Sequence, residues 1–238
     1  EAVICPDGPL PVLRMPAEEF VREIIVGAVG AGWVVEGSDF AFGHAQKGDN
    51  ALLERMSREL GFGVQVVPNV EVGGEPVSST RIRQAIRQGR LAAARTLLGR
   101  PFEFEGRAVH GRHRGRGLGF PTVNLAGADF ITPGDGVYAG WALFPDGESE
   151  STEAVPAAIS VGREPTFGEL PLPVVEAFLL DFDGKLYGRT VRLQFVQRLR
   201  DQQVFRSGAE LRKQVSRDCE AVRAALASNG TREGTGGP

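Results

Sequence analysis

The spacing of apolar residues along this chain changes once, at the short segment 99–101. Before it, helical spacing alternates with short strand-like runs. After it come only strand-like runs, separated by clusters of Gly, Pro and Asp, and then one last helical stretch. Strand–helix alternation is typical of a parallel sheet, whereas short strands with turn residues between them are typical of an antiparallel barrel. The pattern therefore predicts two domains of different fold class.

The first region, residues 16–98, has the alternation of an α/β fold. Four stretches have helical spacing, namely 18–29, 50–60, 78–89 and 91–98. The residues predicted to face inward in the first of them are Phe20, Ile24, Ile25 and Ala28. A short buried strand is predicted over 33–35 and another strand over 64–67. Two strands are too few for a doubly wound sheet, so we expect a missing part of this domain before the chain.

The second region, residues 102–198, predicts a small antiparallel barrel. Its strand-like runs are 102–109, 137–144, 155–161, 174–180 and 190–196. Ser207 and Glu210 then form a capping-box pattern, which predicts a helix. The apolar residues expected to pack that helix on the barrel are Leu211, Val215, Cys219, Val222 and Leu226. Residues 228–238 have nothing apolar to bury and are expected to be disordered.

The composition is that of an ordinary globular protein. The 238 residues are 42% apolar and carry a formal net charge of −3, which does not favour nucleic-acid binding through overall charge. Cys5 and Cys219 form no metal-binding spacing, so a reducing cytoplasm is expected. The chain shows no signal peptide and no apolar run of about 18 residues, so no membrane partner is expected.

Residues 110–125, HGRHRGRGLGFPTVNL, carry the most evident binding chemistry. Arginines and histidines alternate there with glycines, and no residue is acidic. Glycine lets backbone N–H groups approach an anion, and arginine neutralises its charge. Thr122 and Asn124 could hold a hard cation such as Mg²⁺ together with phosphate oxygens. We interpret the stretch as a nucleoside triphosphate site; a solvated turn or a nucleic-acid patch has similar composition.

The carboxylate of Glu176 stands out within the predicted strand 174–180. Side chains alternate along a strand, so the residues that share its face are Val174, Phe178 and Leu180. The opposite face is apolar as well, which indicates a carboxylate that is buried or at the edge of a cleft. Such a group could take a proton from a hydroxyl nucleophile beside a triphosphate, or form a structural ion pair with an arginine. The pattern leaves both interpretations open.

A second candidate anion site lies at the start of the predicted helix 78–89. The hydroxyl residues and arginines there are Ser78, Ser79, Thr80, Arg81 and Arg83. Free N–H groups at a helix start, together with arginines, favour phosphate binding. The alternative is a plain helix cap with solvated arginines, and the pattern alone favours this alternative.

Two aromatic residues, Phe40 and Phe42, follow the predicted strand 33–35. In α/β proteins the loops after strands often bind ligands, so these rings could stack on a flat molecule. They would serve equally well as anchors in the core.

Taken in order, these segments resemble the bifunctional bacterial riboflavin kinase/FMN adenylyltransferase (FAD synthetase) family, from about residue 16 to residue 226. The matching motifs are GSDFAFG at 37–43, KGD at 47–49, VSSTRIR at 77–83, LLGRPF at 97–102, GRGLGFPTVN at 115–124, GVYAG at 136–140, VGREPTFG at 161–168, VEAFLLDF at 175–182, LYG at 186–188 and LRDQQVF at 199–205. The resemblance implies a partial Rossmann-like domain of the HxGH nucleotidyltransferase type, followed by a Greek-key antiparallel β-barrel with a C-terminal helix. The implied domains are the C-terminal part of the FMN adenylyltransferase domain at 1–98, the riboflavin kinase domain at 99–227 and a disordered tail at 228–238.

For the kinase domain the resemblance implies a site that converts riboflavin and MgATP into FMN and ADP. Thr122 and Asn124 would bind Mg²⁺ and phosphate, and Glu176 would accept the proton of the riboflavin 5′-hydroxyl as that oxygen attacks the γ-phosphorus. The residues implied for the loop that covers ATP are Gly115, Arg116, Gly117 and Gly119. Those implied near the flavin are Phe120, Arg200 and Phe205.

For the adenylyltransferase domain the residues implied to contact ATP phosphates are Ser78, Ser79, Thr80 and Arg83. The parent protein would convert FMN into FAD. That chemistry also needs an HxGH-type motif, and the first histidine here is His44, so we expect this chain not to make FAD. Gln202 and Val204 stand where the family has Glu and Lys, so the resemblance transfers no flavin contact to them.

Two other classes of function match parts of the sequence. A non-catalytic flavin-binding module would retain the barrel, but the presence of both Thr122 and Glu176 favours chemistry. An RNA-binding protein could use the arginines of 107–116, but the overall acidic balance and the lack of aromatic residues in that stretch argue against it. The expected partners are therefore the small molecules ATP and riboflavin, with neither nucleic acid nor a membrane.

Overall fold

The computed structural model describes residues 11–109, 122–126, 131–145, 154–163, 173–184 and 186–228. Contacts between residues divide the chain into two compact units, Glu1–Val77 and Ser78–Pro238. The helices just before 99–101 therefore belong with the residues that follow them, because their contacts lie there. The functional limits at residues 98 and 227 stay a prediction.

The first unit begins with two short α-helices and a π-helix. The α-helices are α1 (Pro11–Arg14) and α2 (Ala17–Glu19), and α2 continues directly into the π-helix over Phe20–Ala28. The N–H of Val29 donates to the carbonyl of Ile24, five residues back, at 2.9 Å. The wider π turn changes which residues face inward. Val21 is fully buried, whereas Ala28 is exposed, so the predicted inward position of Ala28 is wrong.

A two-stranded parallel sheet pairs β1 (Trp33–Gly37) with β2 (Gly63–Val67). Val34 and Val64 lie against the core of this unit. Trp33 and Val35 point to the other face, where they are 70% and 57% exposed. The sheet exists as predicted, but the expectation that 33–35 is buried is wrong, because the core of this unit contacts only one face of the sheet.

Helix α3 (Asn50–Leu60) connects the two strands and confirms the sequence prediction at both ends. The Asp49 carboxylate accepts a hydrogen bond from the N–H of Leu52 at 2.8 Å and so caps the helix. Gly61 ends it in the left-handed conformation, with φ of 80°. A 3₁₀ turn at His44–Gln46 precedes α3, and a hairpin of β3 (Glu71–Val72) and β4 (Glu75–Pro76) ends the unit.

The second unit starts with α4 (Ser79–Arg87) and α5 (Leu91–Leu98), which match the predicted helices closely. Both pack against the barrel that follows them. The four buried residues that they contribute to the barrel's hydrophobic cluster are Ala85, Ile86, Leu91 and Ala94. These helices therefore share a core with the barrel.

Six strands form a closed antiparallel barrel, as predicted. They are β5 (Phe102–Val109), β6 (Thr122–Ala126), β7 (Gly136–Leu143), β8 (Val155–Arg163), β9 (Pro173–Leu179) and β10 (Thr190–Arg200). Around the barrel the order is β10-β5-β6-β9-β8-β7. After the consecutive strands β7, β8 and β9, strand β10 returns to lie beside β7, which is a Greek-key arrangement. The sequence predicted five of these strands and missed β6, which it treated as the end of a loop.

Helix α6 (Gly208–Ser228) packs on the outside of the barrel, as predicted. Cys219, Val222 and Leu226 lie in one buried cluster with Ala139, Ala158 and Leu180. The hydroxyl oxygen of Ser207 accepts from the N–H of Glu210 at 3.2 Å, which confirms the cap. Ser228, the first residue of the expected disordered tail, is the last residue of α6, and the rest of that tail, 229–238, lies outside the described residues. Among the residues that the structure describes, no helix is both long and apolar enough to cross a membrane.

Candidate functional site

Polar side chains are gathered on the outer face of two neighbouring barrel strands, β6 and β9. The residues of these strands that fill the barrel are Val123, Leu125, Val175, Ala177 and Leu179. Because side chains alternate along a strand, Thr122 and Asn124 lie on the outer face of β6, and Glu176 lies on that of β9. The predicted alternation around Glu176 is confirmed, and its side chain is half-buried.

The register of the sheet brings these three predicted residues together. Asn124 lies directly opposite Glu176, and Thr122 lies opposite Phe178, the next outward residue of β9. Directly opposite residues of an antiparallel pair have Cα atoms about 5 Å apart. A carboxylate and two neutral oxygen donors therefore share one small area of the outer face.

The same register extends across the barrel as a line of outward residues that we call the cross-strand row. Its five members, in order, are Asn124, Glu176, Ser160, Val137 and Arg200. Arg200 belongs to the row but lies three strands from Glu176, about 14 Å along the sheet. The structure thus separates the predicted flavin residue Arg200 from the predicted base.

The guanidinium of Arg200 is held by helix α6. Its Nε donates to Oδ1 of Asp218 at 2.9 Å, and its Nη2 donates to Oδ2 at 2.6 Å. The side chains are 17% and 8% exposed, so this two-point ion pair is largely removed from water. The Gln214 amide also donates to Asp218, at 2.9 Å. Asp218 therefore fixes the orientation of Arg200, and sequence reasoning did not single it out.

Phe205 lies beside this ion pair in a groove of about 420 Å³. The groove is formed by the segment 203–205 and by four residues of α6, namely Glu210, Lys213, Gln214 and Arg217. Since Gln214 lines the groove and also contacts Asp218, the structure brings the two predicted flavin residues, Arg200 and Phe205, to one region. Its size is within the range of small-molecule sites.

Gln202 contacts the cross-strand row, although the sequence comparison with the family assigned it no role. Its Nε2 donates to Oγ of Ser160 and to the carbonyl oxygen of Val161, both at 2.9 Å. The segment after β10 is thereby attached to β8. The sequence gives no local sign of this contact, because the two residues are 42 positions apart.

At the start of α4 the structure shows the helix cap. The hydroxyl of Ser78 accepts from the N–H of Arg81 at 3.3 Å, and Arg83 Nη2 donates to the hydroxyl of Ser79 at 3.0 Å. Ser78, Ser79 and Arg83 are exposed, as is Thr80. Their role toward ATP phosphates stays a prediction.

Phe40 and Phe42 behave as core anchors. Their rings stack with centroids 5.3 Å apart, and Phe42 is only 6% exposed. Both belong to the hydrophobic cluster of the first unit. The two rings therefore anchor the loop after β1 in the core, and this favours a structural role over stacking on a ligand.

The predicted ATP-covering loop and Phe120 lie outside the described residues, so Gly115, Arg116, Gly117 and Gly119 stay predictions. Within the described ranges no group of three or more His, Cys, Asp or Glu residues could hold a metal ion by itself. The oxygen atoms of Thr122 and Asn124 are hard, neutral donors, which suits Mg²⁺ only when phosphate or water completes its shell.

The fold and the row define a class of protein, a six-stranded Greek-key barrel with polar residues grouped on its outer face and a capping C-terminal helix. Residues 98–226 match the riboflavin kinase family, and residues 10–81 match the FAD synthetase family. The chain therefore belongs to the bifunctional riboflavin kinase/FMN adenylyltransferase family, as its motifs indicated.

Relatives and a solved structure agree with this assignment. The bifunctional riboflavin kinase/FMN adenylyltransferase of Escherichia coli K12 is 35% identical over 204 residues, which cover 86% of this chain and 63% of that protein. The Pseudomonas fluorescens enzyme of the same name is 36% identical, over 92% of this chain and 68% of its own length. The crystal structure of a Streptococcus pneumoniae protein named as a macrolide-efflux protein superimposes with a TM-score of 0.74 at 34% identity, over 89% of this chain and 66% of that one. The chain thus spans about two thirds of the length of these proteins.

Proposed function

We propose that this chain transfers the γ-phosphoryl group of ATP to the 5′-hydroxyl of riboflavin, giving FMN and ADP. The observation that carries the proposal is the register of β6 and β9, in which Glu176 lies directly opposite Asn124 with Thr122 on the same face. Phosphoryl transfer needs a group that accepts the hydroxyl proton and oxygen donors near the phosphates. The names of the relatives support riboflavin as the acceptor.

Glu176 acts as the base in this proposal. As the 5′-oxygen of riboflavin bonds to the γ-phosphorus, its proton passes to the Glu176 carboxylate. The bond from that phosphorus to the bridging oxygen breaks, and ADP leaves with the electron pair. The half-buried position of Glu176 fits this role, because a carboxylate partly shielded from water keeps its orientation toward one substrate oxygen.

Thr122 and Asn124 would hold Mg²⁺ and the phosphates. Both donors are neutral oxygens, so substrate oxygens and water must supply the remaining ligands, which is usual for this ion. When bound, Mg²⁺ would neutralise charge on the phosphates. The residues proposed to cover ATP are Gly115, Arg116, Gly117 and Gly119.

The flavin ring is proposed to lie at the groove beside Phe205, with Arg200 near it and Phe120 contributing from the preceding loop. An aromatic side chain next to cations suits a flat, polar ring system. The longer relatives are also named FMN adenylyltransferases. We propose that Ser78, Ser79, Thr80 and Arg83 would contact the phosphates of ATP in that second reaction. A cytoplasmic location belongs to the same proposal, because these substrates are metabolites of that compartment.

The experiment that tests the proposal incubates the purified chain with riboflavin and MgATP and separates the flavins by chromatography. FMN is the expected product. Glu176→Gln should lower kcat about a hundredfold or more and leave riboflavin binding close to that of the unmodified chain. Glu105→Gln is the matched control, because Glu105 is an exposed barrel carboxylate paired with Arg192 at 2.8 Å, and its kcat should stay within twofold.

Each outcome has a separate meaning. A folded chain that binds riboflavin without forming FMN would contradict kinase activity and favour a flavin-binding module. FMN formation by Glu176→Gln at the unmodified rate would contradict only the role of Glu176. FAD among the products would contradict the expectation that this chain lacks the second activity.

A further inference from the structure

We propose that Arg198 and Gln202 are positioning residues for flavin binding. They hold the connector, which is the segment 201–205 between β10 and α6, so that Phe205 stays in its groove. The inference rests on the proposed function, because it explains how the flavin part of that site is kept in place. It assigns to both residues an effect on riboflavin affinity and not on the chemical step.

Arg198 holds the start of the connector, which is neither helix nor strand. Its Nη2 donates to Oδ1 of Asp201 at 2.6 Å and to the carbonyl oxygen of Asp135 at 2.8 Å. One guanidinium thus joins the connector to the residues just before β7. Arg200 adds another hydrogen bond, from its Nη1 to the carbonyl oxygen of Asp201 at 2.8 Å.

Gln202 attaches the next position of the connector to two further strands. Its Nε2 donates to Oγ of Ser160 and to the carbonyl oxygen of Val161 in β8, both at 2.9 Å. A weaker contact of 3.4 Å joins the same nitrogen to the carbonyl oxygen of Gly136 in β7. All three contacts depend on the two N–H groups of the primary amide, so a side chain of similar length without them would lose every one.

The side chain of Arg198 is itself fixed by packing. Its guanidinium carbon lies 6.0 Å from the centre of the Tyr138 ring. The end of α4 approaches both residues, since a Cβ at Gly89 would lie 2.9 Å from Cδ of Arg198 and 3.0 Å from the hydroxyl oxygen of Tyr138. Glycine suits this position because of the close approach and because of its φ of 66°. The helix before the barrel therefore helps to fix the arginine that holds the connector.

These contacts limit where Phe205 can lie. It follows Gln202 by three positions, and three residues span at most about 10 Å. At the other end, the Glu210 carboxylate accepts from the N–H of Arg206 at 2.9 Å, so the chain is fixed there as well. Between the two ends, Val204 is 99% exposed and adds no packing that could hold the connector. The hydrogen bonds therefore order the aromatic residue in advance, and a site ordered in advance binds its ligand more tightly.

The test compares the full chain with Arg198→Met and Gln202→Met, which keep a long side chain and remove its donors. The Kd for riboflavin, measured from the change in flavin fluorescence, should rise about fivefold in each variant, because affinity falls with the fraction of molecules whose connector is in the binding arrangement. At saturating riboflavin kcat should stay within about twofold, so the KM for riboflavin rises alone. Hydrogen exchange of the amides of 202–205 should be faster in both variants and should slow again when riboflavin binds.

Two other residues of β10 provide matched controls. Arg192→Met removes a guanidinium whose side chain is 39% exposed, close to the 35% of Arg198, and which pairs with Glu105 at 2.8 Å. Gln194→Met removes an amide that donates to Glu103 at 3.2 Å. Both of these side chains bond to β5 and not to the connector. Both control variants should therefore keep the Kd, kcat and exchange rates of the unmodified chain.

The outcomes separate this inference from the proposed function. An unchanged Kd in both variants would overturn it, and so would a fall in kcat with an unchanged Kd, because the two residues would then act on the chemical step. Gln202→Met decides alone if Arg198→Met does not fold. An equal loss of affinity in the control variants would also overturn it. If the unmodified chain binds riboflavin without forming FMN, only the kinase activity fails, and the comparison of Kd values still decides the inference. If it binds no riboflavin, both fail.

Discussion

At the scale of single residues, the buried thiol of Cys219 gives the second unit a pH-dependent stability. Burial between α6 and the barrel raises the pKa of this thiol above its ordinary value. The unfolded thiol therefore ionises first, so its contribution to stability is complete below the unfolded pKa and is lost as pH rises through the folded pKa. We predict that the free energy of unfolding falls between pH 7.5 and pH 9.5.

Urea unfolding at these two pH values measures the effect, with Cys219→Ala as the comparison. The variant is less stable at both values because it loses buried atoms, but its stability should fall less between them. Equal losses in the two proteins would show that Cys219 does not cause the dependence. Tyr138, whose pKa burial also raises, acts in the same direction only at higher pH.

The residue scale also shows what a single sequence can reveal about this site. The outward face of Glu176 follows from the two-residue period of a strand, so it was predictable. Its neighbours Asn124 and Ser160 lie on two other strands, and only the pairing register identifies them. The contacts of Gln202 and Asp218 were unpredictable for the same reason, because hydrogen-bond partners distant in sequence leave no local pattern.

At the scale of elements, the ion pair of Arg200 with Asp218 connects β10 to α6. Breaking a buried pair leaves one charge without a partner and costs about 3–5 kcal/mol. Asp218→Asn should therefore lower the free energy of unfolding by about 3 kcal/mol. It should also raise the KM for riboflavin, because Arg200 loses the contact that orients it near the proposed flavin groove.

Asp181→Asn is the matched control for this prediction. Asp181 pairs with Arg223 of the same helix at 2.8 Å, but the two side chains are 78% and 54% exposed. Exposed pairs contribute little, so this variant should unfold at the same urea concentration as the unmodified chain. Equal losses in the two variants would mean that burial does not set the strength of the Arg200–Asp218 pair.

Elements with local determinants were predicted better than those without them. Helix α3 has its cap at Asp49 and its stop at Gly61, both readable from the sequence, and its bounds were correct. Strand β6 has five residues directly after a glycine-rich stretch, and its pairing with β5 and β9 defines it more than its own composition does. The π-helix over Phe20–Ala28 was also missed, because the usual helical period assigns inward faces that its wider turn does not keep.

At the scale of the whole molecule, the chain divides into its two compact units after Val77, where the packing changes, and not at the ends of the two family matches. The riboflavin kinase match begins at residue 98, and the FAD synthetase match ends at residue 81. Most of α4 and most of α5 lie between the two matches, and their buried residues join the barrel core. A change of fold class at 99–101 was visible in the sequence, but where the preceding helices pack depends on long-range contacts.

This packing predicts that the stable fragment begins at residue 78 and not at residue 99. A fragment 99–228 lacks Ile86 and Leu91, and burial of each such side chain contributes about 1.5–3 kcal/mol. Its free energy of unfolding should therefore be at least about 3 kcal/mol below that of fragment 78–228, and its barrel should expose apolar surface. Urea unfolding of the two fragments, with binding of a hydrophobic dye, measures both effects. If fragment 99–228 is as stable as fragment 78–228, then the packing of α4 and α5 adds nothing to the stability of the barrel. The boundary that the sequence predicted would then also be the boundary of the folding unit.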